Sequence, residues 1–224
     1  MSKTGNIFID VFSFIIIFLP LLPVSIIIIQ KKYKEETLIF LMILCLLYFI
    51  QNILLGIPQF TLNNQNIIIN LFSVIELMIM LLLFKLTLPP KLKHLINFFM
   101  ISFLATVITF YSLKGLNERR MGIEIIQNAA IIIVIIVVLF ELISDDSLFT
   151  FNHPAFLIAT GSLFYFTVAV IINISGTNDT TSQTDIGPEK IILSNTANLI
   201  RFILFALAVL FYRDINAEKK LWED

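Results

Sequence analysis

Apolar residues run along this chain in seven long blocks, at roughly 7–29, 37–57, 67–88, 95–113, 123–143, 155–175 and 191–212. Short polar or proline-bearing stretches separate them: QKKYKEE, PQFTLNNQ, LPPKLKH, KGLNERRMG, SDDSLFTFNHP and GTNDTTSQTDIGPEK. A helix needs about 20 apolar residues to cross a bilayer, so each block predicts one crossing. The pattern predicts an all-α, polytopic membrane protein: a single seven-transmembrane-helix bundle spanning 1–224. The fourth block is the least apolar, with Ser102, Thr106, Thr109 and Ser112. It is still expected to span.

Composition strengthens this reading. Hydrophobic residues make up 58% and charged residues 14% of the chain, and mean hydropathy is +0.94. A soluble domain carries about 25% charged residues. The first block lacks a small-x-small cleavage site and is expected to stay as the first helix. A multi-pass protein of the cell (inner) membrane is the expectation. With a net charge of −1, the chain gives no sign of a nucleic-acid partner. One cysteine, Cys45, and two histidines leave no basis for a structural metal or a cofactor.

Basic residues set the expected orientation. With the N-terminus outside, Lys31, Lys32, Lys34, Lys85, Lys91, Lys93, Arg213, Lys219 and Lys220 lie inside. Lys3, Lys114, Arg119, Arg120 and Lys190 lie outside. That balance favours N-out/C-in, with KGLNERR as the contrary stretch.

Polar positions inside the blocks are not spread evenly. Glu76 lies nine residues into the third block and Arg201 ten into the seventh. At 1.5 Å per residue each sits about 14–15 Å deep, near the middle of a ~30 Å core. Opposite charges at one depth predict an ion pair between two helices. Above that level lie Gln51 and Asn52, Asn70 and Ser73, Glu124, Gln127 and Asn128, Asn173, and Ser194, Asn195 and Asn198. Asp10 and Ser13 are candidates from the first helix. Ser194, Asn198 and Arg201 share a helical face by spacing. The other half, in LIFLMILCLLYF, LMIMLLLF, IIIVIIVVLF and FILFALAVLF, is almost free of polar groups apart from Tyr48, Ser162 and Tyr165. A dry inner plug below a polar outer half follows. Asn, Gln and Ser also stitch membrane helices together without binding anything, so glue and cavity both stand as readings.

Signals of catalysis are poor. His94 and His153 sit at loop edges, and no histidine is placed as an intramembrane base. Ser162 lacks the glycine and the later histidine of an intramembrane serine protease. Asp145 and Asp146 read as a solvated loop face. Rhodopsin-like proteins share only the outline, because the seventh block has Arg201 and no lysine to hold retinal. A sugar transporter of the three-plus-one-plus-three type is also unsupported. Pro58-Gln59 ends a helix, the fifth block has no proline, and no internal repeat is visible.

NLFSVIELMIMLLLFK, RRMGIEIIQN, HPAFLIATGSLFYFTVAVIIN and SNTANLIRFILFALAVLFYR together resemble a family of small uncharacterised seven-helix membrane proteins common in Bacteroidota. The resemblance covers roughly 67–213 and rests on Ile75-Glu76 and Asn198. Family members often carry Phe-Trp after the proline of helix six, where this chain has Ala155-Phe156-Leu157. They often carry a histidine four residues before the asparagine, where this chain has Ser194. The resemblance implies architecture and brings no activity with it.

The expectation is a non-enzymatic receptor or sensor with a polar outer-half cavity. Its ligand is a small or anionic molecule, or a lipid head group, bound by Gln51, Asn52, Ser73, Glu76, Gln127, Asn128, Ser194, Asn198 and Arg201. Arg201 would be the anchor for an anion. Signalling would pass to a separate cytoplasmic or membrane protein partner. Two alternatives are a transporter or channel gated by Glu76 and Arg201, and a structural subunit of a membrane complex.

Overall fold

The computed structural model describes residues 3–56, 62–87, 90–114, 121–144, 153–177 and 187–212. Its elements are α1 (Lys3–Phe18), α2 (Leu21–Ile29), α3 (Glu36–Leu55), α4 (Leu62–Thr87), α5 (Pro90–Lys114), α6 (Met121–Ser144), α7 (Pro154–Thr177) and α8 (Pro188–Phe211). There is no strand among the described residues.

Prolines punctuate this order. Pro20 removes a helical N–H and crowds the preceding turn, so the first block breaks at Leu19–Pro20 into α1 and α2. Pro23 falls in the first turn of α2, where a missing donor costs nothing. Pro90, Pro154 and Pro188 each open a helix for the same reason. At the other end of α2, Lys31 takes a left-handed conformation with φ 55°. Around it, Lys31 N–H donates to the Ile28 carbonyl and Lys32 N–H to that of Ile27. This is a helix-ending Schellman arrangement, occupied here by lysine where glycine is usual.

Six segments are long and apolar enough to cross a membrane: Ile9–Ile29, Glu36–Leu55, Gln65–Leu86, Glu124–Ser144, Pro154–Ser175 and Pro188–Phe211. The chain is a multi-pass membrane protein. Among the described residues, helix α5 contributes a shorter apolar stretch, Ile96–Ser112. Several helices extend past the expected blocks, as α4 does by starting at Leu62. Hydropathy marks the part of a helix suited to lipid, whereas the hydrogen-bonded helix continues into polar flanks.

Six elements close a ring: α2 packs on α3, α3 on α4, α4 on α6, α6 on α7, α7 on α8, and α8 on α2. Helix α1 lies against α8 and α3, and α5 rests on α4. Inside the ring one half is an apolar plug. Leu38, Leu41 and Leu44 of α3 meet Met80, Leu83 and Phe84 of α4, Val138 of α6, and Phe205 and Ala208 of α8. The outward faces are apolar as well, with Phe98, Ile126 and Phe140 about 70% exposed. A water-facing surface would penalise that, while lipid tails do not.

The tightest seam joins α7 and α8. A Cβ added at Gly161 would stand 3.2 Å from Leu204 Cβ and 3.3 Å from the Arg201 carbonyl oxygen. A residue without a side chain lets the backbones approach here. At the end of the bundle away from the polar half, Lys32 Nζ donates to the carbonyls of Val209 (2.9 Å) and Tyr212 (2.7 Å). Tyr212 hydroxyl donates to Glu35 at 3.2 Å. This clasp supplies a donor to two of the carbonyls at the end of α8.

Candidate functional site

Arg201 is fully buried on the inward face of α8. Its Nη1 lies 3.2 Å from Glu76 Oε1 on α4. Tyr48 of α3 bridges the two: its hydroxyl accepts from Arg201 Nη1 and donates to the same Glu76 oxygen. Arg201 Nη2 approaches the Met80 sulfur at 3.9 Å. Aromatic rings enclose the guanidinium, with Tyr165 at 4.3 Å, Tyr48 at 4.6 Å, and Phe166 and Phe205 each at 5.2 Å from its central carbon. A delocalised cation is weakly hydrated and attracted to ring faces, so this cage offsets part of its burial cost.

Glu76 differs from Arg201 in one respect. It is 14% exposed and lines a cavity of about 290 Å³ above the bridge. Five of the six ring helices supply polar lining near one end of the bundle. Helix α3 gives Gln51, α4 gives Ser73 and Glu76, and α6 gives Glu124 and Asn128. Helix α7 gives Tyr165 and Asn173, and α8 gives Ser194. Apolar walls come from Leu55, Ile69, Phe166 and Ile172 among others. The Tyr48–Glu76–Arg201 bridge is the floor, and the plug lies beneath it.

Of the nine residues singled out from the sequence, Gln51, Ser73, Glu76, Asn128 and Ser194 line this cavity. The other four do not, and helical geometry explains each. Asn52 is the next residue after Gln51 and is turned about 100° away. Asn198 is displaced by the register of α8, whose cavity edge follows Ser194 and Ala197. Arg201 is fully buried behind Tyr48, Tyr165 and Glu76 and does not line the cavity. Gln127 is buried in the wall, where its Oε1 accepts from Ser73 Oγ at 2.9 Å. Its lining role is on a second, apolar groove behind the cavity.

The chemistry of the lining also changes the ligand expected. Glu76 and Glu124 border the cavity, and no lysine, arginine or histidine does among the described residues. Acceptors therefore outnumber donors at its surface, and an anion would meet two carboxylates. Two lining residues with strong polar chemistry, Glu124 and Asn173, stand at the helix ends nearest the polar loops. The sequence places both in the polar outer half, outside the nine residues named for the ligand. Tyr48 was masked differently: a tyrosine amid LIFLMILCLLYF reads as core until its partners are known. Asn195 is glue, since its Nδ2 donates to Ser13 Oγ of α1 at 2.9 Å. Asp10 is exposed on α1. No cluster of metal-ligating side chains exists among the described residues.

Comparison with protein-family models, with characterised proteins and with solved structures returns no match to this chain.

Proposed function

We propose that this protein is a non-enzymatic membrane receptor or sensor for a small, donor-bearing ligand held in the cavity above Glu76. In this reading α5 completes a seventh crossing, the N-terminus faces outward, and the polar half opens to the outer face of the cell (inner) membrane. The observation that carries the reading is the cavity itself, about 290 Å³ of space ringed by polar side chains from five helices. Buried polar groups used only as glue would satisfy one another, as Asn195 and Ser13 do. Gln51, Asn128, Asn173 and Ser194 instead converge on open space.

The closed plug below favours sensing over passage. A transporter needs a continuous or alternating path, and the layer of Leu41, Leu44, Met80, Phe205 and Ala208 is fully buried. The ligand would act by shifting α3, α4 and α8, which meet at the Tyr48–Glu76–Arg201 floor; the segment before α3 and the end of α8 are further joined by the clasp of Lys32 and Tyr212. A separate cytoplasmic or membrane partner would read that shift. The resemblance of Ile75-Glu76 and Asn198 to a seven-helix family supports the architecture and leaves the ligand to the cavity.

Native mass spectrometry of the protein released from mild detergent tests this. The wild type should retain a bound molecule, and Asn128→Leu with Asn173→Leu should abolish that retention while the fold persists. A wild type that carries nothing and gains no thermal stability from any polar, amine-bearing or hydroxylated compound would overturn the proposal.

A further inference from the structure

A second opening lies behind the cavity wall. It is a groove of about 280 Å³ between α4, α5 and α6, lined by Leu77, Leu81, Phe103, Val107, Ile131 and Val134 among others. From Gln127 to Val134 it follows α6 for about 10 Å at 1.5 Å per residue. Its direction is along the bundle, from the level of the polar cavity toward the level of the plug. Exposed Ser102, Thr106 and Ile126 border it, so it opens sideways onto the lipid-facing surface.

The wall between groove and cavity is thin. Ser73 lines the cavity and Gln127 lines the groove, and one hydrogen bond of 2.9 Å joins them across the α4–α6 seam. Gln127 is 3% exposed, yet its amide nitrogen has no partner. A buried donor left unpaired is costly, and this one is in a largely apolar groove, where a ligand carbonyl could accept from it.

Resting on the cavity reading above, we infer that the ligand is a single-chain acyl amphiphile whose head group carries hydroxyl or ammonium donors. It enters sideways through the α4–α6 seam. The head sits among Glu76, Asn128 and Asn173, a carbonyl accepts from Gln127 Nε2, and the chain lies in the groove. Three observations converge on this occupant. Only the Ser73–Gln127 contact separates the groove from the cavity, the cavity is lined by acceptors and two carboxylates, and the amide at that contact has a spare donor. An acyl chain gains little by leaving lipid for an apolar groove, so the chain sets orientation and the polar contacts set selectivity.

The probe is 1-monoolein, which combines a hydroxylated head, an ester carbonyl and one chain. Its retention is measured by native mass spectrometry in mild detergent, with oleate and glycerol as companions. Monoolein should be retained at least tenfold more than oleate, whose carboxylate faces Glu76 and Glu124. Gln127→Leu, and Ala130→Phe which fills the groove, should each lower monoolein retention at least tenfold. Thr106→Phe blocks the groove from α5 and serves if Ala130→Phe fails to fold, with folding read from protection of the Cys45 thiol. Retention lost in Asn173→Leu but unchanged in both groove-filling variants overturns the amphiphile and leaves a purely polar cavity ligand. Oleate retained as well as monoolein overturns the head-group assignment. Retention unchanged in every variant marks monoolein as annular lipid and overturns the amphiphile, while the cavity reading is decided separately by whether Asn128→Leu with Asn173→Leu abolishes retention of a polar ligand.

Discussion

Replacing Glu76 with leucine would leave the Arg201 guanidinium without its counter-ion in a site closed to water. The pair stands 3.2 Å apart. At an effective dielectric of 20 the gross attraction at that distance is about 5 kcal/mol. Arg201 is fully withdrawn from water and Glu76 largely so, so much of that attraction offsets desolvation. What the single substitution exposes is the uncompensated charge, a loss of about 3–5 kcal/mol. Arg201→Met should cost less, about 2 kcal/mol, because methionine retains much of the apolar stem and Glu76 still reaches the cavity. Glu76→Leu combined with Arg201→Met should cost less than the two singles added, by at least about 1 kcal/mol. The assay is unfolding in detergent followed through a thiol-reactive dye. Cys45 is the chain's single cysteine and is fully buried, so its exposure reports opening of the core. Strictly additive losses would refute the claim that the two charges stabilise each other.

Tyr48→Phe keeps the ring against Arg201 but removes the hydroxyl that links both charges; a loss of about 1–3 kcal/mol is expected in the same unfolding assay. Gly161→Val drives a branched side chain toward Leu204 and the Arg201 carbonyl, so it should destabilise by more than Gly161→Ala, with overpacking costing about 1–3 kcal/mol. Lys32→Ala opens the clasp on the Val209 and Tyr212 carbonyls, and faster hydrogen exchange at the end of α8 than at its middle should follow. Burial holds the His153 imidazole below its usual pKa, and its Nδ1 has no partner. The unfolded chain therefore binds the proton more readily, so stability should be full above pH ~6.5 and decline as pH falls below it. His153→Phe should flatten that slope in melting curves taken from pH 7.5 to 5.

Much of this architecture was legible in the hydropathy blocks, because lipid imposes one requirement on every crossing helix. Six of the seven blocks return as helices suited to span, and the described part of α5 gives a shorter apolar stretch. Counting depth along two helices placed Glu76 and Arg201 at one level, where the structure has them in contact. Depth is a one-dimensional quantity and sequence spacing supplies it. Which side of a helix faces a cavity depends on rotation about the axis, and the packing of neighbours sets that. Asn198 and Asn52 were misplaced for this reason, and Ala197 lines the wall in their stead. Arg201 lies outside the cavity lining for another. A cation near the midplane looks available to a ligand until Tyr48, Tyr165, Phe166 and Phe205 are seen to enclose it. Gln127 was assigned to the cavity on depth, whereas its amide links cavity to groove.

The central claim is a polar cavity open at one end of the bundle and closed below Glu76. Thiol accessibility measures this directly. In a Cys45→Ala background, Ser194→Cys and Asn128→Cys place thiols at the cavity lining, and Ala208→Cys places one in the plug. Intact cells or right-side-out vesicles are treated with a charged, membrane-impermeant thiol reagent. The account predicts rapid modification at Ser194→Cys and Asn128→Cys, protection at Ala208→Cys, and slower cavity labelling once a ligand is bound. Equal protection at all three positions, or labelling of the cavity only from the opposite side of the membrane, would contradict it.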